Sequence, residues 1–207
     1  MPTAITCKKC RRLGVSVCGR ERCAVKRKPY PPGSTPNRNR RGGGRRSSSE
    51  YGNQLKEKQI VKFSYGLRER QFRNYVSKAM AVKDGMNANR LVAFLEKRLD
   101  NVVYRLRFGA SRSQSRQIVS HGHIHVNGRR VTIPSFQVRD GDVITIRPQS
   151  KGKGIFQDLE IRLKKHATPE WLLLDKEKMI GTVKGMPRAD MFDIPANLNS
   201  VMEFYSR

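Results

Sequence analysis

The chain has 207 residues, 43 Lys plus Arg against 17 Asp plus Glu for a formal net charge of +26, and 37% hydrophobic content. That length allows one or two domains with a modest core, and the charge would make a compact fold repel itself unless a polyanion neutralised it. No run approaches the roughly 18 to 20 apolar residues that span a bilayer, MPTAITCKKC lacks the apolar core of a secretory signal, and the most basic run (34–46) has no apolar side to lie on lipid, so a cytoplasmic protein without a membrane is expected.

The excess is uneven. Residues 1–50 hold 14 basic and 2 acidic groups while residues 151–207 hold 10 and 8, so the first three-quarters of the chain is expected to be binding surface and the end to be scaffold. Cys7, Cys10, Cys18 and Cys23 give C-x2-C, seven residues, then C-x4-C, with no other cysteine in the chain. Two close pairs inside so short a basic segment suit a tetrahedral thiolate site, in which the metal replaces a core the segment cannot build. Lys8, Lys9, Arg11, Arg12, Arg20 and Arg22 are expected to lower the thiol pKa values and to offset the negative charge of four thiolates. One structural zinc ion is therefore expected, with an iron–sulfur cluster or disulfides as alternatives. Four protein ligands leave no open position for a substrate.

KRKPYPPG (26–33) is a proline-rich turn that ends any helix. The following STPNRNRRGGGRRSSS (34–49) has no apolar residue and cannot order itself. Its five arginines, Arg38, Arg40, Arg41, Arg45 and Arg46, favour an arm that folds on nucleic acid over a solvated linker. From Glu50 helical spacing begins, with Leu55, Gln59 and Phe63 on one side of a first helix and Phe72, Val76 and Met80 on a second, broken at Tyr65–Gly66. Leu91, Leu95, Leu99, Val102, Val103 and Leu106 then predict one long helix running to about Phe108 and ended by Gly109.

Ser111, with Gln114 three residues on, predicts a capped helix closed by Gly122, with Arg112 and Arg116 one turn apart on its face. Ile124, Val126, Val131 and Ile133 alternate around Asn127–Gly128, a strong signal for a tight hairpin. Asp140–Gly141 marks a second turn before Val143–Ile146, so a three- to five-stranded sheet is expected to pack on the two helices. Beyond it, 151–165 reads as a loop and a short amphipathic helix through Phe156, Leu159 and Leu163, and an apolar tail with several turns begins at Pro169. Trp171, the only tryptophan, is expected to anchor packing rather than to stack on a base.

Arg98, Arg105, Arg107, Arg112, Arg116, Arg129 and Arg130 could form a solvated face. Only Asp100 is acidic between Lys97 and Arg139, however, so this face is expected to be unable to pair with itself and to grip RNA phosphates bidentately. His121, His123 and His125 invite a metal reading, but no carboxylate or cysteine is close in sequence. Phosphate or base contact is preferred, with at least one of the three a packed histidine. Gly42–Gly44 and Gly152-Lys153-Gly154 lack the strand, spacing and hydroxyl residue of a phosphate-cradling loop. Turn chemistry accounts for Asp140 and Asp142. No catalytic set and no small-molecule substrate are therefore expected.

The blocks KPYPPG (28–33), YGNQLKEKQ (51–59), YGLRERQFRNY (65–75), LEKRLDNVVYRL (95–106), ASRSQSRQIVSHGHIHVNGRRV (110–131), IPSFQVRDGD (133–142) and EFYSR (203–207) closely resemble the bacterial-type small-subunit ribosomal protein S-four family over nearly the whole chain. The four cysteines match its zinc-binding form. The resemblance implies an α+β fold: a mostly helical body with an inserted helix–hairpin RNA-binding module, two helices on a small sheet, plus an N-terminal four-cysteine zinc segment and basic arm. The corresponding divisions are 1–49, 50–96 completed by 170–207, and 97–169. It further implies binding to a five-way junction of small-subunit rRNA, nucleation of assembly, contact with ribosomal protein S-five, a link to decoding accuracy, and basic residues along the channel by which messenger RNA enters. Besides the five arm arginines, the expected RNA-contact residues are Lys58, Arg70 and Arg73 in the body. In the module they are Arg98, Arg105, Ser111, Arg112, Ser113, Arg116, Gln117, His121, His123, Asn127, Arg129 and Arg130. Two rival classes remain: an RNA-modifying or aminoacyl-transfer enzyme carrying the same module, which would need a catalytic domain the chain has no room for, and a zinc-dependent DNA-binding regulator reading a major groove.

Overall fold

The computed structural model describes residues 5–20, 22–33, 49–82, 85–164, 166–192 and 194–206. The five arm arginines Arg38, Arg40, Arg41, Arg45 and Arg46 lie outside the described residues. The chain forms two compact units, one of residues 1–88 with 193–207 and the other of residues 89–192.

In the first unit, α1 (Cys7–Leu13) and the single-turn α2 (Ala24–Arg27) are followed by α3 (Glu50–Ser64), α4 (Glu69–Met80) and, from the far end of the chain, α9 (Leu198–Ser206). Ser49 caps α3 by accepting from the Gly52 N–H at 3.2 Å, and Gly66, at φ 63°, turns the chain toward α4. The apolar face of α3 is shifted from the expected one. Gln54, Lys58, Ile60 and Val61 are buried, whereas Leu55, Gln59 and Phe63 are only half-buried. The shift follows from the partners: α9 covers Gln54 and Lys58, and Ile60 closes a small core with Cys10, Leu13, Val17 and Cys23. The thiol segment thus shares a core with α3 instead of standing apart.

The second unit carries most of α5 (Asn87–Glu96), then α6 (Leu99–Arg105), α7 (Arg112–Ser120), β1 (Ile124–Val126), β2 (Arg129–Arg130), β3 (Val143–Ile146), α8 (Leu159–Lys164), β4 (Leu172–Asp175) and β5 (Ile180–Val183). The one long helix expected over 91–108 is two. Its leucines are all buried, but the helix breaks at Lys97–Arg98, where the loop around residues 134–138 supplies the hydrogen bonds. The Leu99 N–H donates to the Phe136 carbonyl at 2.8 Å and the Val138 N–H to the Lys97 carbonyl at 2.9 Å. Nor does Gly109 end α6. Arg107 takes the left-handed conformation at φ 63°, and Gly109 instead lets the backbone meet Ser115, whose hydroxyl a Cβ would strike.

The hairpin forms as its sequence predicts. Val126 pairs with Arg129 and His125 with Arg130 across Asn127–Gly128, both at positive φ. The sheet is antiparallel with strand order β2-β1-β3-β5-β4. Two of its five strands therefore come from residues 172–183, which the sequence assigned to a tail completing the helical body. Only residues 193–207 belong to that unit. The reason is pairing: β5 docks on β3 through Val143–Thr182, Ile144–Gly181 and Thr145–Ile180, and Gly181 leaves room for the side chain of Leu106. Phe156, Leu159, Leu163 and Trp171 are buried, as expected of packing residues.

Candidate nucleic-acid interface and metal centre

The Sγ atoms of Cys7, Cys18 and Cys23 lie within 4.8 Å of one another, and all four thiols are free. Three cysteines are thus positioned to bind a metal ion, and a soft, thiolate-preferring cation fits that donor set. Cys10 is fully buried, and its thiol interacts with those of Cys18 and Cys23. The expectation that surrounding cations lower the thiol pKa values is corrected here. Burial is the largest influence on Cys10 and pushes it up to about 12. At Cys23 burial also acts upward, but hydrogen bonds from Ser16, the Val25 backbone and the neighbouring thiols bring it down to about 7. Two of the nearby cations are engaged elsewhere: Arg11 donates to the Tyr30 carbonyl at 3.0 Å and stacks on its ring, and Lys9 sits 4.5 Å over the Phe63 ring.

In the helical unit, Arg70 and Arg73 are exposed, as an RNA contact requires. Lys58 is not. It is buried beneath the rings of Phe204 and Tyr205, at 4.7 and 5.5 Å, and ion-paired to Glu69 at 2.7 Å. Glu69 also receives Lys62 at 2.7 Å and the Tyr205 hydroxyl at 2.6 Å. Burial acts to raise the carboxyl, yet these three donors outweigh it and hold it at about 2.

In the second unit the helix break gathers charge. Asp100, buried, accepts from Arg98 Nη2 at 2.9 Å and from Arg116 Nη2 at 2.6 Å. Glu96, fully buried, accepts from Arg105 Nη2 at 2.7 Å and from Asn101 Nδ2 at 2.6 Å, and Asn101 Oδ1 in turn takes Arg112 Nε at 2.9 Å. Arg112 and Arg105 also lie over the rings of Tyr104 and Phe192, at 4.6 and 4.5 Å. The sequence reading that this face cannot pair with itself is thereby overturned. One acid within the stretch and one just before it, brought together by the bend at residues 97–98, engage Arg98, Arg105 and Arg116. Arg98 is buried and withdrawn from any surface contact.

The outward residues are those of α7 and the hairpin. Ser113, Gln117, His121, Asn127, Arg129 and Arg130 are exposed. Ser111 caps α7 by accepting from the Gln114 N–H at 3.2 Å, while Gln114 Oε1 reaches back to the Ala110 N–H at 2.7 Å. Asn127 bridges Asp142 and the Val143 N–H, both at 2.8 Å, which fixes the hairpin tip. His123 is the packed histidine of the three. It is buried, with Nδ1 2.9 Å from the Ser150 hydroxyl and its ring edge-on to Phe156. Two cations near it escaped the sequence reading: Arg147, whose N–H donates to the His123 carbonyl at 2.9 Å, and Lys153, three residues beyond Ser150.

Two family profiles match adjoining parts of this arrangement: "Ribosomal protein S4/S9 N-terminal domain" over residues 3–96 and "S4 domain" over residues 97–144. The small ribosomal subunit protein uS4 of Syntrophomonas wolfei is 44% identical over 99% of this chain and 98% of its own length. The chain belongs to the uS4 family. The uS4 proteins of Caldicellulosiruptor bescii and Pelotomaculum thermopropionicum are 43% and 42% identical, over 97% and 99% of this chain and 96% and 98% of theirs. The "S4 domain" match ends at residue 144, whereas the uS4 sheet continues through β5 at Val183. No helix among the described residues is long and apolar enough to cross a membrane.

Proposed function

We propose that the chain is a non-enzymatic structural constituent of the small ribosomal subunit in the cytoplasm. In this reading it binds rRNA at a multi-helix junction in the body of the subunit, early enough to nucleate assembly. The observation that carries it is the exposure of Ser113, Gln117, His121, Asn127, Arg129 and Arg130 on α7 and the hairpin, in a module where Arg98, Arg105 and Arg116 are braced by buried acids. Arginine forks on a rigid edge suit recognition of folded RNA by its phosphates and shape, with little base-edge readout. Arg105, Arg112 and Arg116 remain partly exposed and contribute at the flank. Arg70, Arg73 and the arm arginine Arg38 add rRNA contacts, and Arg40, Arg41, Arg45 and Arg46 meet messenger RNA in the channel by which it enters. A protein–protein contact with ribosomal protein S-five, and through it an influence on decoding accuracy, completes the reading.

One zinc ion held by Cys7, Cys10, Cys18 and Cys23 fits the clustered thiols and the small core around them. Such an ion supplies a structural cross-link and no open position for chemistry. Chain residues do the rest: Leu13, Val17 and Ile60 bury Cys10 and Cys23, while Cys7 and Cys18 stay half-buried. Hydroxyl-radical footprinting on total rRNA tests the functional reading. Protection confined to one small-subunit junction is expected. Diffuse protection, or none at a junction, overturns it in favour of a DNA-binding or enzyme-appended module.

A further inference from the structure

We propose that Arg130, Arg147 and Lys153, with His121, form a cradle for RNA backbone phosphates at the end of the sheet opposite the Asn127–Gly128 turn. The inference rests on the rRNA-binding reading and adds to it Arg147 and Lys153, which lie outside the helix–hairpin motif and meet Arg130 and His121 of that motif.

Three elements converge there. β1 begins at Ile124 opposite Ile146, the last residue of β3, so His123 and Arg147 are neighbours across the strands. Arg130, the last residue of β2, pairs with His125 at this same end. Its guanidinium lies over Gly122, in the space a Cβ would fill, and donates to the His121 carbonyl at 3.4 Å. Gly122 therefore serves two purposes: its φ of 72° closes α7, and its missing side chain admits the arginine. The next turns bring Lys153. The Lys153 N–H donates to the Ser150 carbonyl at 3.1 Å, and the Ser150 hydroxyl contacts the His123 ring at 2.9 Å. His121 stands 6.0 Å from His123 and is exposed.

His123 acts as the pillar of the cluster and reports its field. Burial is the largest influence lowering its pKa, and Lys153, His121, Arg147 and Arg130 each lower it further by their positive charge. Four cationic or protonatable groups thus converge on one buried imidazole. A concentration of like charge is unfavourable in the free protein and is relieved by anions. A polyanion whose charges are spaced along a backbone relieves all of them at once, and each neutralised phosphate releases counterions. Lys153 and Arg130 are exposed and Arg147 is half-buried, its guanidinium also donating to Gln149. The cluster is therefore open to a ligand as large as an RNA strand.

The test uses the full chain with its metal and a small-subunit rRNA. The readouts are the slope of log affinity against log salt and the hydroxyl-radical footprint. Arg147→Gln with Lys153→Gln is expected to lower the slope by about 2, roughly one for each phosphate contact, and to erase one protected rRNA segment while the rest of the footprint remains. Lys153→Gln alone changes only an exposed side chain and lowers the slope by about 1. The charge-preserving pair Arg147→Lys with Lys153→Arg keeps the parent slope. If the parent chain leaves a junction footprint and Lys153→Gln changes neither slope nor footprint, the cradle is overturned while the rRNA reading stands. If the parent leaves no junction footprint, both fall.

Discussion

The thiol segment and the sheet module solve the same problem, keeping a highly cationic chain folded, by opposite means. Around the cysteines the core consists of Cys10, Leu13, Val17, Cys23 and Ile60, too few to hold α1 and α2 together alone. Three of the thiols are placed to bind a metal ion, and the segment leans on Ile60 of α3 for a fully buried aliphatic partner. The module has a continuous core through Leu91, Leu95, Leu99, Val102, Ile118, Ile124, Ile144 and Ile146, and can afford two buried acids that order its arginines. Surplus positive charge in the module is offset by the buried carboxylates of Glu96 and Asp100, whereas the thiol segment places its cysteines together for a metal ion. Where the core is large, surplus arginine becomes a fixed surface rather than a liability.

The largest expected effect separates the two. Replacing Cys10 and Cys18 by Ser, or stripping the metal, should raise amide exchange across residues 7–27 by orders of magnitude, because structural metal binding is worth on the order of 10 kcal/mol to such segments. Exchange in α3 near Ile60 should rise less, and in β1 and β3 not at all. Loss of protection in the sheet would show that the two regions are one folding unit. Next in size, Asp100→Asn removes the carboxylate charge that faces Arg98 and Arg116 and should cost about 3 to 5 kcal/mol in denaturant unfolding. A near-neutral result would mean that the acids do not order the module.

Gly181→Ala brings a methyl group against Leu106 and should destabilise the module by about 1 to 3 kcal/mol, with no change in the thiol segment. The smallest effect is in pH. His123 and His166 have lowered pKa values, from burial first. The unfolded chain therefore binds protons near pH 6.5 that the native module refuses, and module stability falls as pH drops below that point. Glu69 is depressed from about 4.5 to about 2, so its contribution to the helical unit is intact above 4.5 and is lost between there and 2. His123→Asn should flatten the first slope and Glu69→Gln the second, read from denaturation midpoints between pH 7 and 2.

Local signals were legible and distant ones were not. Asn127–Gly128 and the alternation of Ile124 and Val126 specify the hairpin within a dozen residues, and Ser111 with Gln114 specifies the start of α7. The break at Lys97–Arg98 left no trace in the leucine spacing, because it is made by backbone groups of residues 134–138. β4 and β5 read as a tail because β5, on which β4 pairs, joins the sheet through β3, which lies almost 40 residues earlier in the chain. The same distance effect governed the site. Lys58 looked like surface until Phe204, Tyr205 and Glu69 closed over it. Arg98, Arg105 and Arg116 looked unpaired until the bend brought Glu96 and Asp100 among them. Arg147 and Lys153 gave no periodic signal, and only the return of β3 beside His123 reveals them.

The most direct measurement is competition at physiological salt, setting small-subunit rRNA against heparin and duplex DNA for the full, metal-loaded chain. The account predicts that rRNA wins by about a thousandfold or more, the margin by which specific nucleic-acid complexes exceed charge-driven ones. Equal affinity for all three polyanions would contradict it, since the arginine edge would then be reading charge alone.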